Sequence, residues 1–328
     1  MRRVAPALGL FLLAPFVGEY LLGNIALDGL WLGLFLAPLY GFGALLIRET
    51  TRRAGGGWPT MALLAAAYAL IEEGPVDQLL WNASYAGHDY LHGPTYLPAL
   101  GMSVELTLSV VALHGVWSIC VPIALMESFV LRRRTEPWLG RTGLAVTTVG
   151  YVLGAALVFW GNYSEERFMA SPGQFLGVGV VIVGLVTLAF AVRSRRRPPV
   201  AGRAPSPLAT GAAALIGTSL YWGPSVLVTA EWYEWVGVAV WCVIAVGGML
   251  LLLRWSRQEG WDARHRYALA AGATLTYIWA AFPVRPELGT TPTLELVSDL
   301  VFGTVGLIVV AFAGRVVWSA SRVSSTCT

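Results

Sequence analysis

Ten stretches of about twenty mostly apolar residues run through this chain, at 6–27, 29–48, 58–80, 104–131, 142–161, 173–193, 208–229, 236–254, 267–284 and 297–317. At a rise of ~1.5 Å per residue, each is long enough to cross a hydrocarbon layer ~30 Å thick. In such a layer no water satisfies backbone N–H and C=O groups, so a spanning segment of this length must be helical. Composition agrees: hydrophobic residues make up 56% of the 328 and charged residues 12%, against about 25% charged in a soluble domain. The expected fold is all-α, a polytopic membrane helix bundle of about ten transmembrane helices. Its first partner is the lipid bilayer, and no nucleic-acid partner is expected.

Charge orients the bundle. All 22 basic residues are Arg. One set of connections holds Arg48, Arg52 and Arg53; Arg132, Arg133, Arg134 and Arg141; Arg193, Arg195, Arg196, Arg197 and Arg203; and Arg254, Arg257, Arg264 and Arg266. With Arg2, Arg3, Arg315 and Arg322 these account for 20 of the 22, and the opposite loops hold only Arg167 and Arg285. The positive-inside rule then places both termini in the cytoplasm. Such a chain belongs in a cell membrane as a multi-pass protein, with a bacterial inner membrane as the expected location. The first run is too long for a signal-peptide core and reads as an uncleaved span. Three scattered Cys give no disulfide framework.

The Arg- and Pro-rich segment 194–207 divides the chain into a first membrane half, 1–193, and a more apolar second half, 208–328. Five spans in each would permit an inverted repeat, although the halves share no motif. Gly150 and Gly154, and the small residues of 211–217, read as close helix contacts within the bundle.

Ionisable residues inside spans collect in the first half: Glu19, Glu72, Glu73, Asp77 and His114. A charge at a helix centre costs ~2.5–3.5 kcal/mol on insertion scales, so such residues are functional candidates by default. Counted from the outer ends of their spans, Glu19, Glu73 and His114 all lie about 12–15 Å deep. Glu73 and Asp77 are four apart and share a helix face, while Glu72 points about 100° away. Pro75 between them removes a backbone donor and breaks the helix. The catalytic candidates are therefore Glu73, Glu72, His114 and Asp77, with Glu19, Asn24 and Trp117 as binding candidates. In the outer loop, His88 and His92 form an HxxxH that would hold a divalent metal if helical. Exposed loop histidines are the plainer reading. Glu127 and Glu105, at the two ends of the fourth span, read as interfacial. Asn82 and Asn162 head glycosylation sequons on the outer side.

Glu72-Glu73 followed by Val110-Val-Ala-Leu-His114 resembles the motifs of the CAAX-protease and bacteriocin-processing family of intramembrane enzymes. The resemblance covers two spans of ten. It implies a carboxylate and histidine that activate water for peptide cleavage, with a metal as an optional helper. Here Asp77 stands where that family has Arg, Val110 stands where it has Phe, and no third His lies in a span. Two active functions remain open: a membrane-embedded hydrolase acting on a peptide or small molecule, and a proton- or cation-coupled carrier. The bland alternative is a polar knot that fixes helix register in a non-catalytic membrane protein.

Overall fold

A computed structural model describes residues 4–193, 198–228, 230–286 and 289–325. Among them, helix occupies each of the ten apolar stretches. α1 (Ala5–Pro15) runs directly into a π-helical segment, π1 (Phe16–Tyr20), and α2 is Leu32–Arg53. α3 (Trp58–Ile71) runs into π2 (Glu72–Val76). The fourth stretch joins α4 (Val104–Ala112), π3 (Leu113–Cys120) and α5 (Val121–Phe129) end to end. α6 (Arg141–Glu166), α7 (Pro172–Arg193), α8 (Pro207–Leu227), α9 (Tyr233–Trp255), α10 (Ala263–Ala280) and α11 (Pro292–Ser325) follow. The structure is an all-α bundle. A short hairpin in the loop between π2 and α4, Tyr96–Leu97 against Met102–Ser103, and an isolated bridge between Arg203 and Glu259 are the exceptions among the described residues.

Six of these runs are long and apolar enough to cross a membrane: Leu32–Arg53, Val104–Phe129, Arg141–Glu166, Pro172–Arg193, Tyr233–Trp255 and Pro292–Ala320. Almost none of the most apolar window of α7 is buried inside the bundle, and α6 and α9 are nearly as exposed. Exposed Leu153, Leu176, Val180, Val243 and Leu250 on those helices form apolar surface that only lipid can solvate well.

Helix ends differ from the sequence expectation at several runs, and two of the differences have a clear local cause. The first run stops at Tyr20 instead of Leu27, because Gly23 (φ 86°) turns the chain. The ninth begins at Ala263, where Asp262 and His265 form a reciprocal capping box, and ends ahead of Pro283.

The two halves share one interior. A buried cluster joins Val17, Leu21, Trp117 and Val121 of the first half to Tyr221, Trp241, Ala273, Tyr277 and Ala313 of the second. Small residues set the closest approaches. A Cβ on Gly272 would meet the Gly211 carbonyl oxygen at 2.5 Å, and one on Gly154 would meet Pro38 Cβ at 2.7 Å. Backbone lies against backbone where α10 crosses α8, so Gly272→Ala is expected to destabilise the fold by about 1–3 kcal/mol. Unfolding in a mixed-detergent titration checks this, with Gly247→Ala as the control, since nothing lies within 4 Å of a Cβ there.

The segment dividing the halves is tied down where it is described. Val200, Gly202 and Ala204 exchange backbone hydrogen bonds with Arg257 and Glu259 of the α9–α10 loop, and His265 Nε2 lies 2.8 Å from the Pro205 carbonyl. Arg195, Arg196 and Arg197 of that segment lie outside the described residues, as do Arg2, Arg3 and Cys327.

At the Arg-rich end, Glu127 departs from the interfacial expectation. It is buried, and Arg52 grips it with Nη2 2.7 Å from Oε2 and 2.8 Å from Oε1. Arg48, fully buried, contacts Glu127 Oε1 at 3.2 Å and Glu49 Oε1 at 2.8 Å. Glu49 in turn accepts from the backbone of Trp138 and Leu139. This network folds the chain after α5 back beneath α2.

Candidate functional site

The carboxylates and imidazole foreseen at one depth meet in the structure. Each sits on a π-helical segment, and these three segments are the ones found among the described residues: Glu19 in π1, Glu72 and Glu73 in π2, His114 in π3. Each segment also holds a glycine, Gly18, Gly74 or Gly115, and has a proline within or beside it, Pro15, Pro75 or Pro122. The local cause is clearest in π2. Pro75 cannot donate to Ile71, so the register slips and the Asp77 N–H reaches the Glu72 carbonyl five residues back at 2.9 Å. Such wide turns recur at functional sites.

His114 is the hub. Its Nε2 lies 2.6 Å from Glu73 Oε1. Its Nδ1 lies 3.2 Å from the Ser118 hydroxyl, one turn along the same helix. Glu72 Oε2 approaches Nδ1 at 3.1 Å, close enough for an ion pair but too misaligned for a hydrogen bond, so this buried oxygen keeps no hydrogen-bond partner. Glu72, Glu73 and His114 are 3%, 3% and 5% exposed. Glu72, expected about 100° around the helix from Glu73, also reaches the imidazole. The two nitrogens occupy different edges of the imidazole ring, so two long carboxylates separated around one helix can both reach it.

A second strand of the cluster reaches Glu19. Tyr40 of α2 donates its phenol to Glu19 Oε1, and Asn24 Nδ2 lies 3.4 Å from Glu19 Oε2. The Tyr40 ring sits 5.7 Å from His114 and 6.5 Å from Tyr68. Gly18 allows this approach, because a Cβ there would meet Ser118 Oγ at 2.7 Å. Glu19, Asn24, Glu72, Glu73 and His114 are thus brought into one place.

The remaining candidates make other contacts. Asp77 uses Oδ1 to accept from the Leu79 N–H in a local turn at the end of π2. Trp117 faces the second half, stacked on Tyr277 with centroids 4.5 Å apart and donating to the Ala273 carbonyl at 2.9 Å. His88 and His92 lie in an irregular loop, so the HxxxH has no helical face. His92 pairs with Asp89 at 2.8 Å and His88 packs on Tyr90. Backbone and ring contacts from His92, with the Leu91 N–H, hold the exposed Asp89 carboxyl below the usual carboxylate range.

Among the described residues, no group of three or more His, Cys, Asp or Glu is arranged to hold a metal. Around His114, Nε2 is engaged by Glu73 and Nδ1 by Ser118, with Glu72 close by.

Four contributors lie beyond the sequence reading. Ser118 carries a usable signal, four residues after His114 on the same helix. Tyr40 and Tyr68 carry none, since a tyrosine inside a span is unremarkable until its partner is known. Gln78, buried at φ 66°, accepts from the Ala170 N–H at 2.7 Å and anchors the turn after π2 to the chain ahead of α7. A non-glycine residue held in that region carries local strain of a kind found at working sites. Asn82 of the first sequon is buried and bonded to Glu166 at 3.2 Å, so it is not open to glycosylation as folded.

No curated protein and no solved structure matches this chain. The match to a family model extends over residues 8–323, and by it the chain belongs to an uncharacterized membrane protein family.

Proposed function

We propose that the Glu72–His114–Glu73 cluster is the acid–base centre of a membrane-embedded hydrolase that receives a peptide or small molecule from the outer half of the bilayer. Both termini lie in the cytoplasm in this reading, as the arginine distribution requires, and ten helices cross a bacterial inner membrane. The observation that carries it is the pairing of His114 with Glu73 beside the unpartnered Oε2 of Glu72. Glu73 Oε1 and His114 Nε2 are joined by a hydrogen bond of 2.6 Å, and the Glu72 Oε2 lies 3.1 Å from the other ring nitrogen. Glu73 is the general base, His114 relays the proton, and Ser118 orients the ring. The Glu-Glu…His order shared with the CAAX-protease family supports the same assignment.

Local chemistry is favoured over transport by what lies below the cluster. Ala44, Leu45, Met61, Ala65, Ile119 and Ile123 are all buried in a packed apolar layer between His114 and the Arg48–Glu127 network. A carrier needs a polar path, and this layer interrupts it. One observation favours the carrier: the Tyr40–Glu19–Asn24 extension adds a second acid that hydrolysis does not need.

Two measurements on one pair of proteins separate the readings. Membranes containing the wild type are expected to show new peptide termini by mass spectrometry that are missing with Glu73→Gln. Liposomes holding wild type and an internal pH dye are expected to show no sustained proton flux. Flux lost in Glu73→Gln would replace the hydrolase by the carrier. Neither effect would leave the cluster a structural knot and overturn both.

A further inference from the structure

The Arg-rich end carries a second feature, separate from the His114 cluster. A shallow, open cleft lies there, lined in part by Trp58, Glu127, Leu131, Arg134 and Arg266. Two helices begin at its wall, α3 at Trp58 and α10 at Ala263. Each therefore turns its partly positive end toward the cleft.

The charges around it do not balance. Glu127 at the floor is already matched by Arg52 and Arg48. Asp262, the acid ahead of α10, is committed to Arg264 and His265. Burial works against its charged form, yet these partners and the Arg264 N–H hold its carboxyl below the usual range. Arg134 and Arg266 remain. Both are half-buried, both line the cleft, and among the described residues neither guanidinium has a hydrogen bond or an ion pair. Glu127 and Asp262 attract the Arg266 charge, but each already serves other arginines, so Arg134 and Arg266 still repel one another, and an anion between them lowers that cost. The Trp58 ring and the Leu131 side chain supply an apolar part of the same lining.

We infer that this cleft binds the phosphate of an anionic phospholipid, with Arg134 and Arg266 on the headgroup and Trp58 and Leu131 along the first carbons of its chains. Arg pairs at a helix-lined membrane interface suit phosphate oxygens because the planar guanidinium donates in a fork. An orphan basic pair, two helix N-termini and an interfacial Trp meet in one opening. A free phosphate offers the same headgroup chemistry without the chains.

The test uses full-length protein in a zwitterionic detergent, titrated separately with dihexanoyl phosphatidylglycerol, dihexanoyl phosphatidylcholine and inorganic phosphate, and read by native mass spectrometry. The wild type is expected to retain phosphatidylglycerol over phosphatidylcholine and to hold phosphate more weakly. With ~1 kcal/mol per basic residue near an anionic surface, Arg134→Gln/Arg266→Gln is expected to weaken phosphatidylglycerol binding roughly thirtyfold. Arg132→Gln, at an exposed site outside the cleft, is expected to leave it unchanged. Equal binding of phosphate and lipid would overturn the lipid assignment in favour of a free anion. Equal loss in the double and Arg132→Gln variants, or no loss in either, would overturn the site.

Discussion

Arg48→Met is expected to destabilise the fold by about 3–5 kcal/mol, the range for removing one partner of a buried ion pair. Every face of this guanidinium is in use. Nη1 holds Glu49 at 2.8 Å, Nε holds Glu127 at 3.2 Å, and Nη2 donates to the Arg134 and Glu136 carbonyls at 3.0 Å each. The guanidinium carbon also lies 3.2 Å from the Trp138 ring centroid. Methionine keeps most of the volume and removes all of this. Glu127 keeps Arg52, so the larger part of the cost comes from Glu49, buried with only the more distant Arg53 at 3.6 Å as a cation. The carbonyls of the chain after α5 lose their donor as well. Lysine does not rescue the site, because a point charge on a flexible stem cannot satisfy a carboxylate, two carbonyls and a ring together. The measurement is equilibrium unfolding in mixed detergent micelles. Arg48→Met/Glu49→Gln completes a double-mutant cycle, and recovery of 1 kcal/mol or more assigns the loss to the pair. A single variant no less stable than Arg132→Gln would show that the network is decoration.

The contrast between Arg48 and His114 shows how far the residues alone carry. Spans and their Arg-rich connections are legible because they follow from local composition: a bilayer imposes one length and one backbone solution on every crossing segment. The polar cluster is legible for a related reason, since acids and imidazole at matching depth in three spans have few places to go but toward each other. Arg48 is hidden by the same logic. An arginine at a helix end satisfies the charge-distribution rule whether it faces water or, as here, the core, and only the fold reveals that the chain after α5 closes over it. Tyr40 and Trp117 mark the other limit. Both lie inside apolar runs, and only tertiary packing sends Tyr40 to Glu19 and Trp117 to Tyr277. Asp77 and the His88/His92 pair sit where Pro75 and the neighbouring glycines interrupt regular helix, a break the sequence itself signals.

At the His114 cluster, Glu73→Gln is expected to lower turnover by about 10²–10⁴, the usual share of a positioned general base, while the protein remains folded. Glutamine keeps the volume of Glu73 and one carbonyl that can still accept from His114, so the packing around the buried pair is preserved and the proton acceptor is lost. Glu72→Gln is expected to act more weakly. Its Oε2 sits 3.1 Å from Nδ1 without a hydrogen bond, so it biases the charge on the ring more than it holds the ring in place. Ser118→Ala removes the remaining partner of Nδ1, frees the ring to rotate, and is expected to fall between them. A purely structural knot predicts a different order. There the cost would follow buried hydrogen bonds lost, Ser118→Ala and His114→Ala would be the damaging changes, and the isosteric Glu73→Gln would be nearly silent. Appearance of new peptide termini and detergent unfolding, measured on the same four variants, therefore rank them in opposite ways under the two accounts. Activity loss greatest in Glu73→Gln with stability loss greatest in His114→Ala is the pattern that identifies an acid–base centre. Parallel ranking of the two losses would reduce the cluster to a packing element.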